Sequence, residues 1–230
     1  MEFIKTKKRL ITAILALLTM LCSVFMLFQY PAQASLSEGY QTPVLAFEFA
    51  RTPEDLNFMT GDSPDAQANR IAMRLGQSYD SLFPFLYAGL IAMCIFSIAK
   101  QFNSIVFFGI LFSILIVPSD LYENSIMNAI IDSLDGGQNV TKLLSSLYIA
   151  TWLKWGNISI AMMILSIVAY LNKDWIPSVF VSAIASIMIF LTWVTGQAIV
   201  AEAMMLSVSI FFIYFSVRSM ILYYRSKHPQ

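Results

Sequence analysis

Charge is what this sequence has least of. Charged residues make up 12% of 230 residues, against 58% apolar residues and a mean hydropathy of +0.69. A soluble domain carries about twice that charge, ~25%. The composition therefore excludes a soluble enzyme, and its apolar excess excludes a disordered chain. What charge there is balances, 14 basic against 14 acidic residues, so no bulk field draws a nucleic acid. Cysteine is nearly absent: Cys22 and Cys94 both lie inside apolar runs, which excludes a disulfide framework. The only histidine is His228, near the end of the chain. With histidine and cysteine this scarce, the usual zinc ligand sets and the Ser-His-Asp and Cys-His arrangements are excluded. No cofactor or metal is expected, and no enzyme activity, because no nucleophile–base pair can be assembled.

Long apolar runs are abundant instead. Lys5, Lys7, Lys8 and Arg9 precede a 19-residue apolar run over 10–28, followed by Pro31-Ala32-Gln33-Ala34-Ser35. This is either a retained first transmembrane helix or a signal segment cleaved after Ala34. Both readings put residue 35 outside the cytoplasm. Further spans are expected at 82–99, from 104 to beyond 118, at 147–171 within a helix starting near 141, at 175–194 and at 198–224. Short connections force antiparallel neighbours. The fold expected is an all-α, polytopic transmembrane helix bundle of six spans, or five if the first is cleaved, with N- and C-termini cytoplasmic. It divides into 1–29, an extracytoplasmic segment 30–80 with short helices, a bundle at 81–224 and a tail at 225–230. The orientation follows from lysine and arginine gathered at both termini and at the turns holding Lys100 and Lys173. The localisation expected is a bacterial inner (plasma) membrane, with membrane lipids as partners and no nucleic acid; the sequence names no particular protein partner.

Segment 30–80 is acidic, with Glu38, Glu48, Glu54, Asp55, Asp62, Asp65 and Asp80 against Arg51, Arg70 and Arg74. Thr52-Pro53-Glu54-Asp55 and Ser63-Pro64-Asp65 each spell a helix start: a capping residue, proline in the first turn and acids beside it. Gly61 ends the first helix, and the second is expected to run straight into the membrane. The run Val44 to Phe49 is apolar enough to lie at the membrane surface or on the bundle.

Ionisable residues at membrane depth are the informative feature. The span that starts at Ser104 is apolar for only 14 residues, about 21 Å of a ~30 Å hydrocarbon core. To finish crossing, it must continue through Pro118, Asp120, Glu123 and Asn124, and the last three share one helix face, which Met127 extends. In the next span Lys154 lies 17 residues from the inner end at Leu171, or ~25 Å. A lone lysine there costs about 2.5–3.5 kcal/mol, so Lys154 is expected to face Glu123 or Asp120. Asp80 and Tyr87 approach the same level, and Glu202 starts the last span on the outer side. Two readings stay open: a structural network that pins helix register, or a polar cavity holding a small ion, a proton or a lipid headgroup. The surplus of carboxylates is expected to be met by protons, a cation, or Arg70 and Arg74. Ser178, Ser182 and Ser186 form a small-residue packing face.

These residues carry a resemblance. Gly39-Tyr40 through Phe47-Glu48-Phe49-Ala50-Arg51-Thr52-Pro53-Glu54, Tyr79-Asp80 with Phe85 and Tyr87, Asp120-Leu121-Tyr122-Glu123-Asn124, and Leu153-Lys154-Trp155 resemble a group of uncharacterised bacterial polytopic membrane proteins. The resemblance covers roughly residues 39–160, and D-x-x-E-N followed by a lysine-bearing helix is its most specific part. It implies no activity. It supports Asp80, Tyr87, Asp120, Glu123, Asn124 and Lys154 as the residues of a polar site. The functional alternatives are a structural or ligand-binding module, a small proton- or cation-coupled transporter, and an intramembrane lipid-modifying enzyme.

Overall fold

A computed structural model describes residues 2–31 and 35–227. The A-x-A sequence at 32–34 and His228 lie outside the described residues. Among those described, the regular structure is all helical: α1 (Glu2–Leu27), α2 (Pro43–Glu48), a 3-10 turn (Pro53–Met59), α3 (Pro64–Asp80), α4 (Phe83–Ile98), α5 (Ser104–Asp135), α6 (Thr141–Leu171), α7 (Ile176–Thr195) and α8 (Ala198–Lys227). The chain is thus an all-α helical bundle with the composition of a multi-pass membrane protein. Five helices are long and apolar enough to cross a bilayer alone, those centred on α1, α5, α6, α7 and α8. Helices α3 and α4 qualify only together, as a pair bent by 42°, which makes a sixth span if the pair is counted as one. The expectation of a straight run into the membrane is corrected here. Helix α3 ends at Ser81–Leu82, and Pro84 then sits in the first turn of α4, where proline starts a helix but does not continue one.

Six helices close into a ring in the order α1, α4, α5, α6, α7, α8, with α4 also reaching α6 across the middle. Small residues let the backbones approach. A Cβ on Gly109 would stand 2.7 Å from Ile164 Cγ2 and 2.9 Å from Ile95 Cδ1. Between α6 and α7, Ser159 and Ser186 exchange hydrogen bonds at 2.9–3.1 Å. Ser178 Oγ lies 2.9 Å from Tyr214 Oη on α8, so the serine row of α7 is a packing face.

At 32 and 31 residues, α5 and α6 extend about 48 and 46 Å, well beyond a ~30 Å core. Their far halves support a cap made of α2, the 3-10 turn and α3. The cap is tied down locally. Asp55 Oδ2 accepts from the Arg51 and Thr52 amides at 2.8 and 2.9 Å, and Ser63 Oγ accepts from the Ala66 amide at 3.1 Å. Gly61 follows the 3-10 turn at φ 91°, a left-handed conformation that ends it. Arg70 and Arg74 clamp α3 to the top of α5, through Asp135 at 2.5 Å and Asp132 at 2.5 Å. They do not offset the carboxylates deeper in the bundle, contrary to one expectation above, because α5 continues to Asp135 and offers them nearer partners.

Two apolar cores result. One, around Leu90, Ile91, Ile116, Leu165 and Phe211, fills the bundle. The other, around Phe47, Leu56, Met73, Met127 and Leu147, seals the cap onto α5 and α6. Along α5, the polar residues Asp120, Glu123 and Asn124 lie between the Ile116 layer and the Met127 layer.

Candidate functional site

Three residues of α6 converge on one residue of the cap. Thr151, Lys154 and Trp155 stand at i, i+3 and i+4 and so share a helix face. Thr151 Oγ1 donates to the Glu48 carbonyl at 3.1 Å. Lys154 Nζ donates to Glu48 Oε1 at 2.7 Å. Trp155 Nε1 donates to Glu48 Oε2 at 2.9 Å. Glu48 is the last residue of α2, and the apolar residues before it, Leu45, Ala46 and Phe47, are fully buried. The six-residue helix therefore packs on the bundle and delivers a carboxylate to Lys154.

Lys154 has a second partner on α5, Glu123, whose Oε2 forms an ion pair with Nζ. Glu123 is 0% exposed, and its Oε1 has no hydrogen-bond partner among the described residues. Lys154 thus joins cap, α5 and α6 at a single ammonium. The sequence expectation named Glu123 or Asp120 as its partner. The structure brings it to Glu123 and to Glu48, with no direct bond to Asp120.

Asp120 belongs to an adjoining group. Tyr87 Oη of α4 donates to Asp120 Oδ2. Asn124 Nδ2 donates to Asp120 Oδ1 at 3.2 Å and to Asp80 Oδ2 at 2.9 Å. The amide of Asn124 thus bridges carboxylates from α3 and α5, and Tyr87 adds α4. Aromatic rings hold Tyr87 in place, with Phe83 at 5.0 Å and Phe212 of α8 at 5.7 Å. Asp80 is half-buried and forms the outer margin of the group, whereas Tyr87, Asp120, Asn124 and Lys154 are buried. All six residues singled out from the sequence, Asp80, Tyr87, Asp120, Glu123, Asn124 and Lys154, fall in this one region.

Pro118 sits in the middle of α5. It lies inside the helix without ending it, and the polar residues around it supply local bonds. Ser119 Oγ donates to the Leu115 carbonyl at 2.8 Å, and Asn157 Nδ2 of α6 reaches Ser119 Oγ at 3.3 Å. Met127 is fully buried and accepts a bond from Gln77 Nε2 of α3 at 3.4 Å.

Glu202 is a correction of another kind. Placed in headgroup water by one reading of the sequence, it is bound. Its Oε1 accepts from the Gln41 and Thr42 amides, both at 2.8 Å, and its Oε2 from Thr42 Oγ1 at 2.7 Å. It holds the amino end of α2 on α8 while Lys154 holds the carboxyl end on α6.

Glu48 was the residue the sequence argument missed. A short apolar helix in a polar segment has no span length from which to count depth, so its one acid carries no signal of burial. The signal that existed was the alternation in Phe47-Glu48-Phe49, a charge flanked by two large apolar residues.

The chemistry of the region is that of four carboxylates, Glu48, Asp80, Asp120 and Glu123, sharing one ammonium, one phenol, one amide and one indole. Among the described residues, no three acidic, thiol or imidazole groups converge as metal ligands do. No family model, no curated protein and no solved structure matches the chain.

Proposed function

We propose that the chain is a multi-pass protein of a bacterial inner membrane, with residues 30–80 outside the cytoplasm, and that its buried network is a charge lock. The lock holds an external cap over the outer mouth of the bundle and presents the Asp80–Asn124–Asp120–Tyr87 group as a binding surface beneath it. The orientation is supported by the basic positions Lys8, Arg9, Lys100, Lys173, Arg225 and Lys227, which all fall at the end opposite the cap. The function is structural and ligand- or lipid-binding, not enzymatic. The resemblance to uncharacterised bacterial polytopic proteins adds no reaction to it.

One observation carries this reading: Lys154 lies between Glu48 of the cap and Glu123 of the bundle. An ammonium that merely needed neutralising would be satisfied by one carboxylate of a neighbouring span. Two carboxylates from two separate layers make it a connector. The test is a set of variants followed by thermal unfolding in detergent. Lys154→Met strands two buried carboxylates and is expected to cost about 3–5 kcal/mol. The same change in a Glu48→Gln/Glu123→Gln background strands no charge and is expected to restore most of that loss. Equal stability of Lys154→Met and wild type contradicts the lock.

A second reading, proton-coupled transport, is favoured by the charge count alone. Four carboxylates around one ammonium carry a formal surplus of three negative charges if all ionise. Low dielectric opposes such a surplus, so protons or a small cation accompany it. The test is acidification of vesicles containing the purified chain. Flux that disappears in Asp120→Asn while the variant stays folded supports transport, and a silent wild type removes it.

A further inference from the structure

The carboxylates of the network differ in how many donors reach them. Glu48 is complete: Lys154 Nζ meets its Oε1 at 2.7 Å and Trp155 Nε1 its Oε2 at 2.9 Å. Asp120 is complete as well, with Asn124 Nδ2 on Oδ1 at 3.2 Å and the Tyr87 hydroxyl on Oδ2. Asp80 takes Asn124 Nδ2 on Oδ2 at 2.9 Å and is only half-buried, within reach of water. Glu123 is the exception. Its Oε2 pairs with Lys154, whereas its Oε1, in a residue that is 0% exposed, receives no hydrogen bond. A buried acceptor without a donor is costly and rare in native proteins.

A second acceptor in the same state belongs to the helix alongside. Helix α3 runs antiparallel to α5, pairing Asp80 with Asn124, Gln77 with Met127, Arg74 with Asp132 and Arg70 with Asp135. Gln77 is 2% exposed. Its amide spends a donor on the Met127 thioether, a weak acceptor, at 3.4 Å, and its Oε1 receives nothing. Met127 stands one turn beyond Glu123 on the same face of α5. Glu123 aside, Gln77 Oε1 is the only pure acceptor among the buried, unpartnered side-chain atoms of the described residues.

We propose that Glu123 Oε1 is a proton-binding site, with Gln77 Oε1 as the acceptor of the bound proton, directly or through one water. Ionised, Glu123 shares Lys154 with Glu48. When Oε1 takes a proton, it becomes an O–H donor to the Gln77 amide oxygen. Lys154 keeps its charge and its bond to Glu48, and the surplus of negative charge in the region falls by one. A proton on Glu48 or Asp120 would instead displace a donor already in place. The charged and titratable groups around Glu123 are Lys154 of α6, Glu48 of α2, Asp120 of its own helix, Asp80 of α3 and Tyr87 of α4. Arg70 and Arg74 are engaged farther along α5, by Asp135 and Asp132. The site deepens the proton-coupled reading above and rests on it for its use.

The experiment records infrared difference spectra of the full chain in detergent, between mildly alkaline and mildly acidic buffer. The wild type is expected to gain a band from a protonated, hydrogen-bonded carboxyl. Glu123→Gln, which has the shape of the protonated acid, is expected to fold and to lose that band. Gln77→Leu is expected to keep the band and move it to higher frequency, because the O–H loses its acceptor. A glutamine that only packs would leave the frequency unchanged. Asp120→Asn is expected to retain the band. A band that survives Glu123→Gln, one that vanishes in Asp120→Asn, or a frequency unmoved by Gln77→Leu overturns the proposal. Should Glu123→Gln fail to fold, the shift in Gln77→Leu decides. Transport is read separately: a band with silent vesicles removes transport and supports the site, whereas flux without the band supports transport and overturns the site.

Discussion

At the scale of the residue, the strongest consequences come from residues whose removal leaves buried charge uncompensated. Lys154 is the first of these. Its removal leaves Glu48 and Glu123 buried and facing each other, which is why the single variant is expected to be worse than the neutralised triple variant. Tyr87→Phe is a gentler probe. The ring keeps its contacts with Phe83 and Phe212, and only the bond to Asp120 is lost. A stability loss of about 1.5–3 kcal/mol is expected, the range for a hydrogen bond to a charged group, read as a lower unfolding midpoint in detergent. A larger loss would mean that the phenol supports more than Asp120. At this scale much was visible in the sequence, since Asp120, Glu123, Asn124 and Lys154 declare themselves by being ionisable or polar where a span has no room for them. Glu48 did not, because nothing in a six-residue helix reports depth.

At the scale of the element, α2 is held at both ends by charge and along its length by burial. Glu202 binds the amides before it and α6 binds Glu48 at its end. Glu202→Ala is therefore expected to loosen the amino end of α2, with a cost of about 1 kcal/mol, as for a lost N-terminal cap. Limited proteolysis in the 35–43 connection checks it, faster cleavage being the expected outcome. Close packing of α4, α5 and α6 makes a second element-scale prediction. Gly109→Val forces a side chain to within 2.7–2.9 Å of Ile164 and Ile95, and overpacking of this kind costs about 1–3 kcal/mol. The helices themselves were well marked in the sequence by apolar run length and by Ser-Pro and Thr-Pro starts. What sequence reasoning placed wrongly were the partners of Arg70 and Arg74. Apolar length ends α5 near Val117, whereas packing carries the helix on to Asp135, and only the full length sets Asp132 and Asp135 beside α3.

At the scale of the whole molecule, a ring of six helices is closed at one end by a cap and pinned at the other by the Arg218–Asp174 pair between α8 and the α6–α7 turn. The cap buries Phe47, Leu56 and Met59 against α5 and α6. Apolar burial supplies its adhesion, and the charge lock supplies its position, because one ammonium meets carboxylates of both layers. The succession of neighbours from α4 to α8 followed from short antiparallel connections, but closure of the ring through α1 and the cap's seating did not, since nothing in the sequence says which spans α1 and the cap pack on. Hydrogen–deuterium exchange tests that seating most directly. In Lys154→Met, the amides of 43–50 are expected to exchange at least about tenfold faster than in wild type, the factor that 1.4 kcal/mol of local stability represents, while the interior of α7 is unchanged. Unaltered protection across 43–50 in that variant would contradict the claim that Lys154 locks the cap to the bundle.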